Sequence, residues 1–161
     1  LRSICFDQST SIIGWSVFDN KNLIDYGLQD FKKIKNTDQR ISEIKKWMNN
    51  IIKEKQAEVF AIEDIQYQGM INAYRSLAEL IGVIKSHFYD NNYAYIIVKN
   101  GEWKKHCNIK GRKRDEQKAN AQKFIKNKYN IEVSQDVADA ICIGEYLVNK
   151  ILKFPDVGQT N

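Results

Sequence analysis

Residues 3–7 and 14–19 read as two strands joined by a polar turn, because apolar and polar positions alternate through SICFD and again after Gly14. Lys21 and Asn22 mark a second turn before a third strand from about Leu23 to Phe31, so an antiparallel meander is expected. Between Asp38 and Lys55 the period changes. Ile41, Ile44, Met48, Ile51 and Ile52 recur at helical spacing with charges between them, which predicts an amphipathic helix. EVFAIEDI (58–65) and NYAYIIVK (92–99) are apolar enough to be buried strands, and each follows a helix, as crossovers onto one shared sheet require.

From Gly69 to Phe88 one stripe runs through Met70, Tyr74, Leu77, Ile81, Ile84 and Phe88, and a second through Ala73, Leu80, Val83 and His87. A surface helix needs only one apolar face. The second stripe is open to two readings, contact with another subunit or burial inside the monomer. Two shorter helices, Asn100 to Cys107 and Asp115 to Tyr129, are expected on either side of KGRKR, a turn too charged for a core. Ser134 is placed to cap a last helix from Gln135 to about Leu152, with Val137, Ile141, Leu147, Val148 and Ile151 facing inward. No repeat or linker interrupts the chain, and its one proline, Pro155, falls in the tail, so residues 1–161 read as a single domain.

At 161 residues such a domain buries a core without disulfides or a structural metal. Cys5, Cys107 and Cys142 are odd in number, far apart and without metal spacing, and are expected to be reduced, buried thiols. No apolar run nears the roughly 18 residues that span a bilayer, and the N-terminus lacks a basic region followed by a signal-like apolar stretch. A cytoplasmic protein with no membrane contact is expected. Charge is uneven: between Lys99 and Lys128 eleven basic residues face three acids, a local excess of eight against five for the whole chain. A concentrated surplus favours a binding face for a polyanion over general solubility.

Four acids break the apolar pattern. Asp7 ends the first strand, Glu63 interrupts the centre of VFAIEDI, and Asp136 and Asp139 open a helix that is otherwise apolar and small. Each has a plain alternative: a strand-end cap for Asp7, a lysine partner for Glu63, a helix-dipole complement for Asp136. Asp139, between Ala138 and Ala140, resists one. Alternation puts Val59, Ala61 and Glu63 on one side of their strand, as it does Cys5 and Asp7, and i,i+3 spacing puts the two aspartates on one helix face. If the first and fourth strands are neighbours beneath the last helix, the four carboxylates converge. Crowded carboxylates need a counter-charge. An oxygen-only, histidine-free set suits Mg²⁺ or Mn²⁺, and two such ions about 4 Å apart can assist phosphodiester cleavage.

With these residues in hand, the chain resembles the RuvC family of Holliday junction resolvases in the ribonuclease H-like superfamily. The resemblance rests on FDQSTSIIGW, the central FAIED and the late DVADAICI, whose order and spacing span most of the chain. It implies a ribonuclease H-like α/β fold, a five-stranded mixed sheet flanked by helices. It also implies a homodimer through the helix at 69–88, and Mg²⁺- or Mn²⁺-dependent paired nicks in a four-way DNA junction that leave 5′-phosphate and 3′-hydroxyl ends. The implied catalytic and metal-binding acids are Asp7, Glu63, Asp136 and Asp139, around two ions per site, with Lys104 as the matching cation and one of Lys113, Arg114 or Lys118 as a second.

Cellular members carry a phenylalanine three residues after the strand glutamate; here that position is Gln66, with Tyr67 beside it. Tyr67 can stack on a base. Gln66, Tyr67, Lys104, Lys105, Lys110, Arg112, Lys113, Arg114 and Lys118 form the expected DNA-binding set. A loop as basic as KGRKR contacts phosphate more than base edges, which points to a compact, phage-like relative selecting branched structure over sequence, in a bacterial or phage-infected cell. Two alternatives remain: a dimer that binds branched DNA without cutting it, and a fragment of an actin-like or sugar-kinase phosphotransferase. The second needs two lobes and another glycine-rich phosphate loop, which a chain of this length lacks.

Overall fold

The computed structural model of the protein describes residues 1–153, so Pro155 lies outside the described residues. β1 (Arg2–Gln8), β2 (Ile12–Asp19) and β3 (Asn22–Asp30) form the expected meander, followed by α1 (Thr37–Lys55), β4 (Val59–Glu63), α2 (Ile71–Asp90), β5 (Ala94–Val98), α3 (Asn100–His106), α4 (Arg114–Tyr129) and α5 (Gln135–Tyr146). The strands make one mixed sheet in the order β3-β2-β1-β4-β5. β1 and β2 pair antiparallel, whereas β1, β4 and β5 run parallel, each crossover carrying a helix.

Two apolar layers sandwich this sheet. On one face Ile41, Ile44, Met48, Ile51 and Ile52 of α1 and Leu80, Ile81, Ile84 and Phe88 of α2 pack against Ile4, Phe6, Phe60 and Ile62. On the other, Trp103, Ala121, Ile125, Val137, Ile141 and Val148 pack against Cys5, Phe18, Ala61 and Val98. All three cysteines are free and buried. Among the described residues no helix is long and apolar enough to cross a membrane.

Two expectations change, and one open reading is decided at a single position. Glu63 is the last residue of β4, not its centre, because regular pairing with β1 stops at Phe6 and Ile62. Leu80, on the second stripe of α2, is fully buried in the monomer, so at that position the reading of burial inside the monomer holds. The last helix passes at Leu147 into a π-helical turn, Leu147–Ile151, with Asn149 Nδ2 donating to the Glu145 carbonyl at 2.9 Å. A wider turn rotates the residues after it, and Ile151, expected to face inward, is 36% exposed.

Candidate active site

Asp7 and Glu63 stand one step beyond the Phe6–Ile62 pair, level with each other at the open ends of parallel strands. Gln8 fixes that level. Its side chain is buried, its Nε2 donates to the Glu63 carbonyl at 2.6 Å, and its Oε1 accepts the Glu63 N–H at 3.1 Å. A carboxamide thus makes the rung that backbone would otherwise supply, satisfying two backbone groups where the strands diverge.

The other two acids reach this point through Gly14. Asp7 pairs with Gly14 across β1 and β2, and a methyl group added at Gly14 would lie 2.0 Å from the Asp136 carbonyl oxygen. Any side chain there would lift the first turn of α5 off the sheet. Ser134 caps that turn by accepting the Val137 N–H at 3.4 Å. Ser16 Oγ donates to the Ala140 carbonyl at 2.8 Å, pinning the next turn to β2. Asp136 and Asp139 therefore open onto the same basin as Asp7 and Glu63, a cavity of about 640 Å³.

Burial first, and crowding after it, raise the proton affinities. Burial, followed by the charges of Glu63, Asp139 and Asp136, holds the Asp7 carboxyl well above the usual range despite the opposing Lys118. Burial and Glu63 push Asp139 up to about 7. Burial also raises Glu63, although its Oε1 accepts hydrogen bonds from Trp103 Nε1 at 2.8 Å and Asn100 Nδ2 at 2.7 Å. Partial compensation comes from Lys118, 3.5 Å from Asp136, and from Lys104, whose ammonium donates to Gln117 Oε1 at 2.9 Å.

The chemistry of these donors fits a hard divalent cation. All four are carboxylates, and Asp7 has neither a hydrogen-bond donor nor an ion-pair partner among the described residues. Among those residues no three His, Cys, Asp or Glu side chains are drawn to ligand spacing around one point.

No protein-family model matches the chain. The crossover junction endodeoxyribonuclease RuvC of Fusobacterium nucleatum subsp. nucleatum is 30% identical to it over 173 aligned positions, covering 100% of this chain and 87% of that protein. The chain belongs to the RuvC family. Among solved structures, Thermus thermophilus RuvC in complex with Holliday junction substrate superposes with a TM-score of 0.74 at 9% identity, over 92% of this chain and 94% of that one. The fowlpox virus resolvase, solved with Holliday junction DNA, gives 0.64 at 17% identity over 95% and 100%. Both share the RuvC fold seen here. Dependence on divalent metal ions is general in the RuvC family.

Of the expected DNA-binding residues, Gln66, Lys104, Arg112, Arg114 and Lys118 line the basin, whereas Tyr67, Lys105, Lys110 and Lys113 do not. Tyr67 is 61% exposed and meets Tyr74 edge to face at 5.7 Å. Arg114 donates to Gln68 Oε1 at 3.1 Å across the mouth. Sequence reading missed Gln8, Asp64, Asn100, Trp103 and Gln117. Asp64 was legible beside Glu63 in FAIED and lines the basin. The other four are neutral side chains whose part depends on strand register and helix placement.

Proposed function

We propose that this chain resolves four-way DNA junctions by divalent-metal-dependent hydrolysis, making paired nicks that leave 5′-phosphate and 3′-hydroxyl ends. The observation that carries this reading is the shared basin of Asp7, Glu63, Asp136 and Asp139 in a RuvC-family chain, rimmed by Lys104, Arg112, Arg114 and Lys118. Asp7, Glu63, Asp136 and Asp139 would hold two Mg²⁺ or Mn²⁺ ions, which when bound supply activation of water and charge neutralisation at the scissile phosphate. Lys104 faces the developing phosphate charge, and Lys118 screens Asp136. Arg112, Lys113 and Arg114 hold the backbone in register, as phosphate contacts do, and Lys105 and Lys110 extend the basic surface. In this reading Gln66, in the basin lining, and Tyr67, exposed beside it in the chain, would meet the branch point, Tyr67 by stacking.

The functional unit in this reading is one domain per subunit and a homodimer through α2. Met70, Ile71 and Tyr89 at the ends of that helix are exposed, Gly82 at its middle has open space around it, and a second cavity of about 510 Å³ lies between it and α1. The test is nicking of a labelled four-way junction against linear duplex of the same sequence. Wild type should cut only the junction and only with divalent metal, whereas Asp7→Asn and Glu63→Gln should lose at least about a thousandfold in rate, roughly 4 kcal/mol of barrier, and still bind the junction. Cleavage by either variant at the wild-type rate would reject the site.

A further inference from the structure

Asp136 has an ion-pair partner in Lys118, but of the four carboxylates Glu63 is the one whose side chain accepts hydrogen bonds from neutral side chains among the described residues. Asn100 and Trp103 lie on the first turn of α3, where i,i+3 spacing turns both toward the end of β4, and both N–H groups converge on the same oxygen, Oε1. Two donors on one oxygen fix the plane of the carboxylate and occupy that oxygen. Oε2 has neither of these donors, and Glu63 lines the basin. The indole is itself immobile: Trp103 is 1% exposed within the layer formed by α3, α4 and α5, and Lys104 Nζ sits 5.3 Å from its ring centre. Asn100 is not part of that core and lines the basin.

We propose that Asn100 and Trp103 are positioning residues that hold Glu63 as a one-oxygen metal ligand, with its orientation set before any cation arrives. The inference rests on the metal-dependent reading above and adds to it the origin of ligand geometry. A side chain with a free terminal torsion must be ordered by the cation, and the cost of that ordering comes out of the binding free energy. Here α3 meets that cost during folding, so removing its donors should weaken metal uptake without touching a ligand. Groups hydrogen-bonded to metal ligands contribute about 10–100-fold in metal affinity or activity.

The experiment titrates Mn²⁺ into the DNA-free full chain and reads unbound Mn²⁺ by electron paramagnetic resonance, for wild type, Asn100→Ala, Trp103→Phe and the double variant. Each single variant should raise the dissociation constant about tenfold. The double variant should raise it further. The Mg²⁺ concentration for half-maximal nicking should shift in parallel, with metal-free junction binding unchanged. A role confined to packing would lower the melting temperature and the active fraction while leaving the Mn²⁺ constant unmoved, and that result overturns the proposal. If Trp103→Phe melts early, Asn100→Ala decides alone, since Asn100 lies outside the core. Wild type that takes up no Mn²⁺ would reject the metal reading and this inference together, whereas wild-type-like Mn²⁺ uptake by Asn100→Ala rejects only the inference.

Discussion

Asp7 and Asp139 carry the electrostatic strain of the site, and strain of this kind is measurable in the metal-free protein. Both bind a proton more tightly than an unfolded chain would, Asp139 with a pKa of about 7. Between the ordinary carboxylate range near 4 and that value, the folded state keeps protons the unfolded state has released. Stability is then highest at the acidic end and falls as pH rises through the window. Metal-free protein should lose about 1 kcal/mol or more between pH 5 and pH 8, roughly 2–4 °C in Tm. Asp139→Asn should flatten that slope, and added Mg²⁺ should reverse it by favouring the ionised form. A Tm that climbs across the interval would contradict the crowding of these acids. At this scale the sequence was informative because Asp7, Glu63 and Asp139 are charges in apolar surroundings. Gln8 and Trp103 gave no such signal, since a carboxamide and an indole are ordinary in a small protein until register shows what they touch.

Helix α5 is seated by two close approaches with different consequences. A methyl at Gly14 would strike the Asp136 backbone at 2.0 Å, and one at Gly144 would strike the Phe18 ring at 2.2 Å. Both substitutions overpack, at about 1–3 kcal/mol each. Gly14→Ala displaces the turn that carries Asp136 and lies across from Asp7, so junction cleavage should fall by at least tenfold beyond what lost stability explains. Gly144→Ala acts two turns away, and its cleavage rate per folded molecule should stay within a few-fold of wild type. Rates and melting curves of the two variants side by side test this division. Every strand and helix was legible in period and punctuation, down to the Ser134 cap. Where the reading slipped, tertiary context intervened: Gln8 ends the β1–β4 pairing early and leaves Glu63 terminal, and the π turn re-phases Ile151. Leu80 is buried because α2 crosses the sheet with Leu80, Ile81, Ile84 and Phe88 inward, while Met70 and Tyr74 run on to the mouth of the basin.

Across the whole molecule, the charge surplus between residues 99 and 128 falls on α3, α4 and the loop between them, beside the acidic basin. Replacing Arg112, Lys113 and Arg114 together with Gln should weaken junction binding most at low salt. For every phosphate no longer neutralised, the plot of log affinity against log salt should flatten by about 0.9. An unchanged slope would place the phosphate path elsewhere. The fold also joins residues far apart in the chain, since β1 and β4 pair across more than fifty positions, and the Gln8 side chain closes the last rung of that pairing. That rung gives the site its own spectroscopic witness. The Glu63 amide proton is bonded to a side chain, so its rate of deuterium uptake tracks openings of the acidic end of the sheet, separately from the backbone-paired amides deeper in β4 that exchange only when the domain unfolds.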